Sequence, residues 1–424
     1  MATHGADIAL LTYGTRGDVE PFLALAAALQ RAGHRPRLAA PGTYASLAAA
    51  QRVPFHPLPG DLPALAHDMV TRAGTNNMRT VLEISRFLEP LAAQAFHSMQ
   101  AWSTGADLIV HSFLATRVGF ELAEERGIPS ASAQFFPVFA PTAAFPAPVF
   151  PDLPLGGLYR RLTHEIVTQI FRRGGDLIYR RVRRADPSLP PPGPWPFQVG
   201  SHSRPPILFA FSRHVIPPTP EWSGVAEVTG YWLPGIPPGW SPSLELERFL
   251  DGEAPVYIGL GSGSAAGRGA WITAASAALQ QIGARGVLDL GGGDPAEMRL
   301  PPSILAVSDL PHAWLFPRMT AVVHHGGAGT TGAGLTAGKP TVVIPTSSDQ
   351  PFWGRRVHAL GVGPAPIPIR RLNTETLARA VSIVLTDAGV RARAVELGQR
   401  MRAEDGVGAA VDRISRLLGN GPTT

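Results

Sequence analysis

Cysteine is absent from the sequence, which removes disulfides, thiolate metal sites and thiol nucleophiles together. Lysine occurs once, at Lys339, so the formal net charge of +5 comes almost wholly from arginine. Spread through a chain rich in Ala, Gly and Pro, that arginine reads as a compositional bias rather than a nucleic-acid patch. Charged residues make up 16% of the chain against 45% hydrophobic, which excludes disorder as the overall state. No apolar run approaches the roughly 18 to 20 residues that cross a bilayer, and the first residues lack the basic, apolar and small-residue segments of a leader. These absences predict a soluble cytoplasmic protein of two or three domains, at roughly 150 residues per domain.

What is present is a succession of short apolar runs separated by Ala/Leu-rich helical stretches. Asp7–Tyr13 reads as a strand, residues 14–21 as a turn, and Phe22–Arg31 as a helix stopped by Gly33. Arg37–Ala40 and Val53–Phe55 continue as strands around a helical Tyr44–Gln51, and Leu62–Trp102 is helical with a loop at 74–77. Asp107–His111 and Ser130–Gln134 flank a helix over Thr116–Arg126, and Ile207–Ser212 and Val225–Tyr231 follow as strands. Such βα repetition predicts a parallel sheet. The stretch LPGIPPGWSP at 233–242 is a stiff Pro/Gly boundary, beyond which strands at 256–260, 286–290 and 304–307 begin a second α/β series. The predicted organisation is a domain over 1–232, a linker at 233–243, a second domain over 244–405, and a C-terminal helix within 406–424 returning to the first domain.

Two segments carry two readings each. Phe136–Leu155, FPVFAPTAAFPAPVFPDLPL, is too proline-rich for regular structure. It is either the wall of an apolar acceptor pocket or a loop packed on the body. The helical stretch 159–185 carries arginine pairs at 160/161, 172/173, 180/181 and 183/184. It is either a solvated face or a peripheral contact with anionic membrane.

The most informative stretch is 322–351, VVHHGGAGTTGAGLTAGKPTVVIPTSSDQP. A β-branched strand ends in His324 and His325 and passes into a glycine-rich turn that opens a helix. Unpaired N–H groups and the positive end of a helix make such a turn a phosphate site. A second strand at 341–344 delivers Asp349 and Gln350 to the same sheet edge, where α/β proteins bind ligands.

These blocks, with GTRGDVEPFLALAAALQRAGH near the start and LPHAWLFPRMTAVVHHGGAGTTG and DQPFWGRRVHALGVGPAPIP in the second half, resemble the nucleotide-sugar-dependent glycosyltransferases of the GT-B fold. The subgroup they resemble comprises bacterial natural-product (glycopeptide, macrolide) and sterol glucosyltransferases. The resemblance implies an α/β protein with two Rossmann-like parallel-sheet domains facing each other across a cleft. It implies an inverting hexosyltransferase of natural-product or antibiotic biosynthesis, moving glucose or a deoxysugar from a UDP- or dTDP-sugar to a hydroxyl of a hydrophobic acceptor. No permanently bound cofactor and no obligate metal are expected, nor a nucleic-acid partner, and the expected state is a monomer or weak dimer.

By the same resemblance, Asp18 is the general base. His325 and the backbone of Gly327, Ala328, Gly329 and Thr330 hold the donor diphosphate, Ser262 adds a phosphate contact, and Thr15 and Arg16 flank the donor. Ser308 to His312 frame the base, and Asp349 and Gln350 hold sugar hydroxyls. Where many relatives carry an acidic ribose ligand, eight positions beyond the phosphate histidine, this chain has Ala333, which shifts the expectation toward dTDP. Asp18 also suits a helix cap, and a non-catalytic nucleotide-sugar-binding helper of the same fold is the alternative function.

Overall fold

The structure is a computed structural model describing residues 5–60, 91–189, 191–197, 204–259, 268–291, 294–295, 299–346 and 348–419. The expected helix from 62 to 90 and Ser262 lie outside the described residues.

Seven parallel strands form the first sheet: β1 (Asp7–Leu11), β2 (Arg35–Pro41), β3 (Phe55–Leu58), β4 (Leu108–Ser112), β5 (Ser130–Gln134), β6 (Ile207–Phe209) and β7 (Ala226–Val228). Their order is β3-β2-β1-β4-β5-β6-β7, with Leu10 paired to Leu38 on one side and Val110 on the other. Ile8 through Leu11 are wholly buried, as a parallel strand covered by helices on both faces must be. The helices among the described residues of this half are α1 (Arg16–Arg31), α2 (Ala45–Ala50), α3 (residues 91–102), α4 (Thr116–Arg126) and α5 (Gly156–Ala185).

The second sheet has five parallel strands, β8 (Val256–Gly259), β9 (Gly286–Asp289), β10 (Ile304–Val307), β11 (Ala321–His324) and β12 (Thr341–Val343), ordered β10-β9-β8-β11-β12. Its helices are α6 (Leu244–Leu250), α7 (Arg268–Gln281), α8 (His312–Leu315), α9 (Ala328–Thr336), α10 (Gln350–Ala359), α11 (Thr374–Thr386) and α12 (Ala388–Arg402), and α13 (Gly406–Gly419) follows. In each sheet the strand order reverses beside the first strand, between β1 and β4 and between β8 and β11. Those reversals open the crevices in which open α/β sheets bind ligands.

Two local readings change. The first helix begins at Arg16, not Phe22, because a capping box between Thr15 and Asp18 holds the first turn. Pro21 then sits in the second turn, where it forgoes one ladder bond without ending the helix. β3 is shifted to Phe55–Leu58 through its pairing with Leu38 to Pro41.

The halves share apolar material: Phe209, Trp222, Leu335, Phe352, Trp353 and Met401 belong to one buried cluster. The 136–155 segment joins that cluster through Val138, Phe139, Ala140 and Ala147, and Phe145 meets the rings of Trp222 and Phe352. The segment is thus packed on the body of the protein. Helix α13 returns to the first half, burying Ala410, Val411 and Ile414 with Phe22 and Trp232. The outgoing and returning passages touch at Gly230 and Gly406, so closely that a Cβ on Gly406 would lie 2.5 Å from the Gly230 carbonyl carbon.

Candidate active site

β11 delivers two histidines with different jobs. His324 is fully buried, and its Nδ1 accepts from the Gly326 N–H at 2.9 Å, folding the turn back on the strand end. His325 turns over the glycines, its Nε2 only 2.5 Å from where a Cβ of Gly327 would stand. Only glycine leaves the imidazole that place. Burial pushes the His325 imidazole down to about 4, so at neutral pH it is an uncharged ring able to donate one hydrogen bond. Its Nδ1 is buried and has no hydrogen-bond partner among the described residues.

Helix α9 starts on Gly327 with no capping side chain. By contrast, α6, α11 and α12 are capped by Ser243, Asn373 and Asp387. The first-turn N–H groups at Ala328, Gly329 and Thr330 therefore face outward from an uncapped N-terminus beside His325, an arrangement suited to an anion.

Asp349 and Gln350 arrive after β12 at the start of α10. The Asp349 carboxylate accepts from Trp353 Nε1 at 2.7 Å, and burial raises its pKa. Its neighbour Ser348 holds a left-handed φ of 60°, a conformation costly for a residue with a side chain. The Gln350 amide oxygen accepts from both the N–H and the hydroxyl of Thr346 at 2.8 Å, so that oxygen is already engaged within the loop.

From the other half, α1 presents Asp18 in its first turn. The carboxylate accepts from the Thr15 N–H at 2.7 Å and the Thr15 hydroxyl at 3.1 Å. Burial nevertheless pushes Asp18 up to about 7, opposed by those bonds and assisted by the Asp349 carboxylate across the cleft. Asp18 is thus both a cap partner and a carboxyl poised near neutrality.

Arg16 ties the two sides directly. Its Nε bonds Glu20 and its NH1 bonds Asp309, each at 2.7 Å, and Asp309 holds a left-handed φ of 56° in the loop after β10. Ser308 and His312 flank that residue. His312 stacks on Phe316 at 4.2 Å, its Nε2 is 3.5 Å from the Tyr257 hydroxyl, and that hydroxyl donates to Asp289 at 2.9 Å. Burial lowers His312 to about 4. Ser262 lies outside the described residues, so its place is not part of this geometry.

Ala328, at the uncapped start of α9, packs against the core cluster that holds Val19 and Phe22 of α1, the helix that carries Asp18. Over 414 residues the chain is 36% identical to O-mycaminosyltylonolide 6-deoxyallosyltransferase of Streptomyces fradiae, covering 94% of each protein. The chain belongs to the glycosyltransferases. It is also 34% identical over 422 residues to a sterol 3-beta-glucosyltransferase of Arabidopsis thaliana, covering 97% of this chain and 68% of that protein. Residues 8–145 match the glycosyltransferase family 28 N-terminal domain. Residues 287–415 match the erythromycin biosynthesis protein CIII-like C-terminal domain. The solved glycotransferase of kitacinnamycin, 22% identical, has a TM-score of 0.72 and covers 98% of this chain and 99% of its own. The fold is therefore the GT-B arrangement of two parallel-sheet α/β domains.

The glycosyltransferase has a cavity that its sequence did not advertise. A partly open cavity lies beneath Tyr13, lined also by Phe96, Met99, Leu114, Arg117 and Tyr179. Tyr13 is the last residue before the loop that leads to Asp18, so the cavity adjoins the β1–β4 crevice. Most of its wall is apolar, and Arg117 is the exception. The Arg117 guanidinium is buried against Glu121 and Asp176, bonds the Gly193 carbonyl at 3.0 Å and lies over Trp195 at 5.3 Å. The i,i+4 spacing of Arg117 and Glu121 on a helix was the one sequence signal for this cluster. Its third partner, Asp176, comes from α5.

Proposed function

We propose that the glycosyltransferase moves a hexose from a nucleoside-diphosphate sugar to a hydroxyl of a hydrophobic small molecule, with inversion at the anomeric carbon. Asp18 carries the reading: a half-buried carboxyl raised to about 7, in the range where a general base works best at neutral pH. The acceptor hydroxyl gives its proton to the Asp18 carboxylate as its oxygen bonds to the anomeric carbon. The bond from that carbon to the diphosphate breaks on the opposite side, and its electron pair leaves with the diphosphate. The neutral His325 and the N–H groups of Ala328, Gly329 and Thr330 meet the charge that grows there, stabilising a leaving group that needs no protonation.

In this reading the first half binds acceptor and the second binds donor. Asp349 accepts from sugar hydroxyls, and Gln350 positions the loop through Thr346. Ser308 and His312 border the base, with Ser262 adding a phosphate contact. Ala333 packs on the apolar cluster around Leu315 and Phe316 and offers no carboxylate to a ribose, which favours a dTDP-sugar over a UDP-sugar. The relatives named for a deoxyallosyl and a glucosyl transfer support a hexose or deoxyhexose. The apolar lining of the cavity under Tyr13 suits a hydrophobic acceptor. A thermal-shift panel of UDP-, dTDP- and GDP-hexoses tests the donor: selective stabilisation by a dTDP-hexose is expected, and stabilisation by none of them overturns the reading.

A further inference from the structure

Helix α5 has two faces with opposite characters. Its inner face lines the apolar cavity through Gly175, Ile178, Tyr179 and Val182. Its outer face presents large apolar side chains to solvent: Leu158 is 83% exposed, Leu162 54%, Leu177 51% and Ile166 37%, with Leu155 just ahead of the first turn at 62%. At 3.6 residues per turn, positions 158, 162, 166, 173, 177, 180 and 184 fall within an arc of about 100°. The arc therefore begins in leucine and isoleucine and continues through Gln169 into Arg173, Leu177, Arg180 and Arg184. No carboxylate partners any of these three arginines among the described residues. Glu165 sits at the edge of the arc, and Asp176 turns inward to Arg117.

We propose that this face of α5 docks on an anionic membrane surface, the leucine stripe entering the interface and the arginines meeting phosphate headgroups. Charge selects the occupant. Anionic lipid neutralises the unpartnered arginines, and a run of exposed leucines is what an interfacial helix buries among acyl chains. None of the described helices is long and apolar enough to cross a membrane, so the contact is peripheral. If the acceptor reading above holds, docking also sets the cavity one helix away from the lipid in which a hydrophobic acceptor dissolves.

The test is co-sedimentation of the full chain, without substrates, on phosphatidylcholine vesicles with and without phosphatidylglycerol. The wild type is expected to bind only the anionic vesicles and to be released by salt. The triple substitution R173Q/R180Q/R184Q should lower the partition coefficient on the order of 100-fold, about fivefold per charge, and L158S/L162S should lower it as well. These residues are exposed, so melting temperature and turnover of a water-soluble acceptor should stay at wild-type values. Equal binding to neutral vesicles, no binding at all, or undiminished binding by either variant would overturn the proposal. So would a concentration-dependent dimer in sedimentation velocity that L158S/L162S abolishes, since it would make a second copy the occupant. Because vesicle binding is read without donor or acceptor, its failure leaves the catalytic reading standing, and the reverse also holds.

Discussion

Replacing Asp18 by asparagine separates its part in the helix cap from the general-base role proposed for it. Asparagine keeps an oxygen that can accept from the Thr15 N–H, now at 2.7 Å, so the capping box and the start of α1 survive. It cannot take a proton from an alcohol, and general-base catalysis typically contributes about 10²- to 10⁴-fold. Stability should move the other way. The folded-state pKa of about 7 lies above the ordinary 3.8, so the fold holds a proton that the unfolded chain releases. Folding stability therefore falls as pH rises from 3.8 toward 7, and the asparagine variant is free of that loss. Its melting temperature should equal or exceed the wild type at mildly alkaline pH, while kcat falls by about two to four orders of magnitude. Asp18→Ala would lose the cap too, at about 1 kcal/mol. Steady-state kinetics, calorimetric nucleotide titration and melting curves on the three proteins measure all of this. Wild-type turnover in the asparagine variant would refute the assignment. So would a flat wild-type kcat/KM profile through neutral pH, where ionisation of Asp18 should produce a rising limb.

His325→Ala should weaken nucleoside-diphosphate binding in calorimetry, and Gly327→Ala should do the same by displacing the imidazole that lies 2.5 Å from the new methyl position. Gly332→Ala places a Cβ 2.5 Å from the Tyr231 ring. A clash in a packed interface should destabilise by about 1–3 kcal/mol, read as a drop in melting temperature. In the proposed mechanism a neutral histidine and helix N–H groups carry the leaving-group charge, so turnover should persist in EDTA; complete loss restored by a divalent cation would contradict that stabilisation.

The two parallel-sheet domains and the family were legible because βα repetition and the 322–351 block are local patterns. The strand-turn-helix at His325 was legible for the same reason: the spacing of histidine, glycine and small residues lies within one supersecondary unit. What escaped was set by contacts distant in sequence. Pro21 looked like a barrier to the first helix, and only the bond from Thr15 to Asp18 places the start ahead of it. The apolar 136–155 segment gave the same signal for pocket wall and for core, and its contacts with Trp222 and Phe352 come from residues distant in sequence. Arg16 was expected beside the donor, but its link to Asp309 spans 293 positions of sequence, beyond the reach of any local pattern. Tyr13 and Tyr179 became cavity features, and Asp176 a partner of Arg117, only when α3, α4 and α5 were brought together.

The contact between Gly230 and Gly406 bears on how such enzymes can be recombined. A chimera made by joining the first half of one glycosyltransferase to the second half of another, with one junction in 233–242, would leave α13 with the wrong parent. The side chains of Ala410, Val411 and Ile414 would then meet a foreign Phe22 and Trp232 environment, and the two glycine passages would no longer be matched. Exchange of halves that preserves the fold needs a second junction near Glu404, so that the terminal helix travels with the sheet it covers.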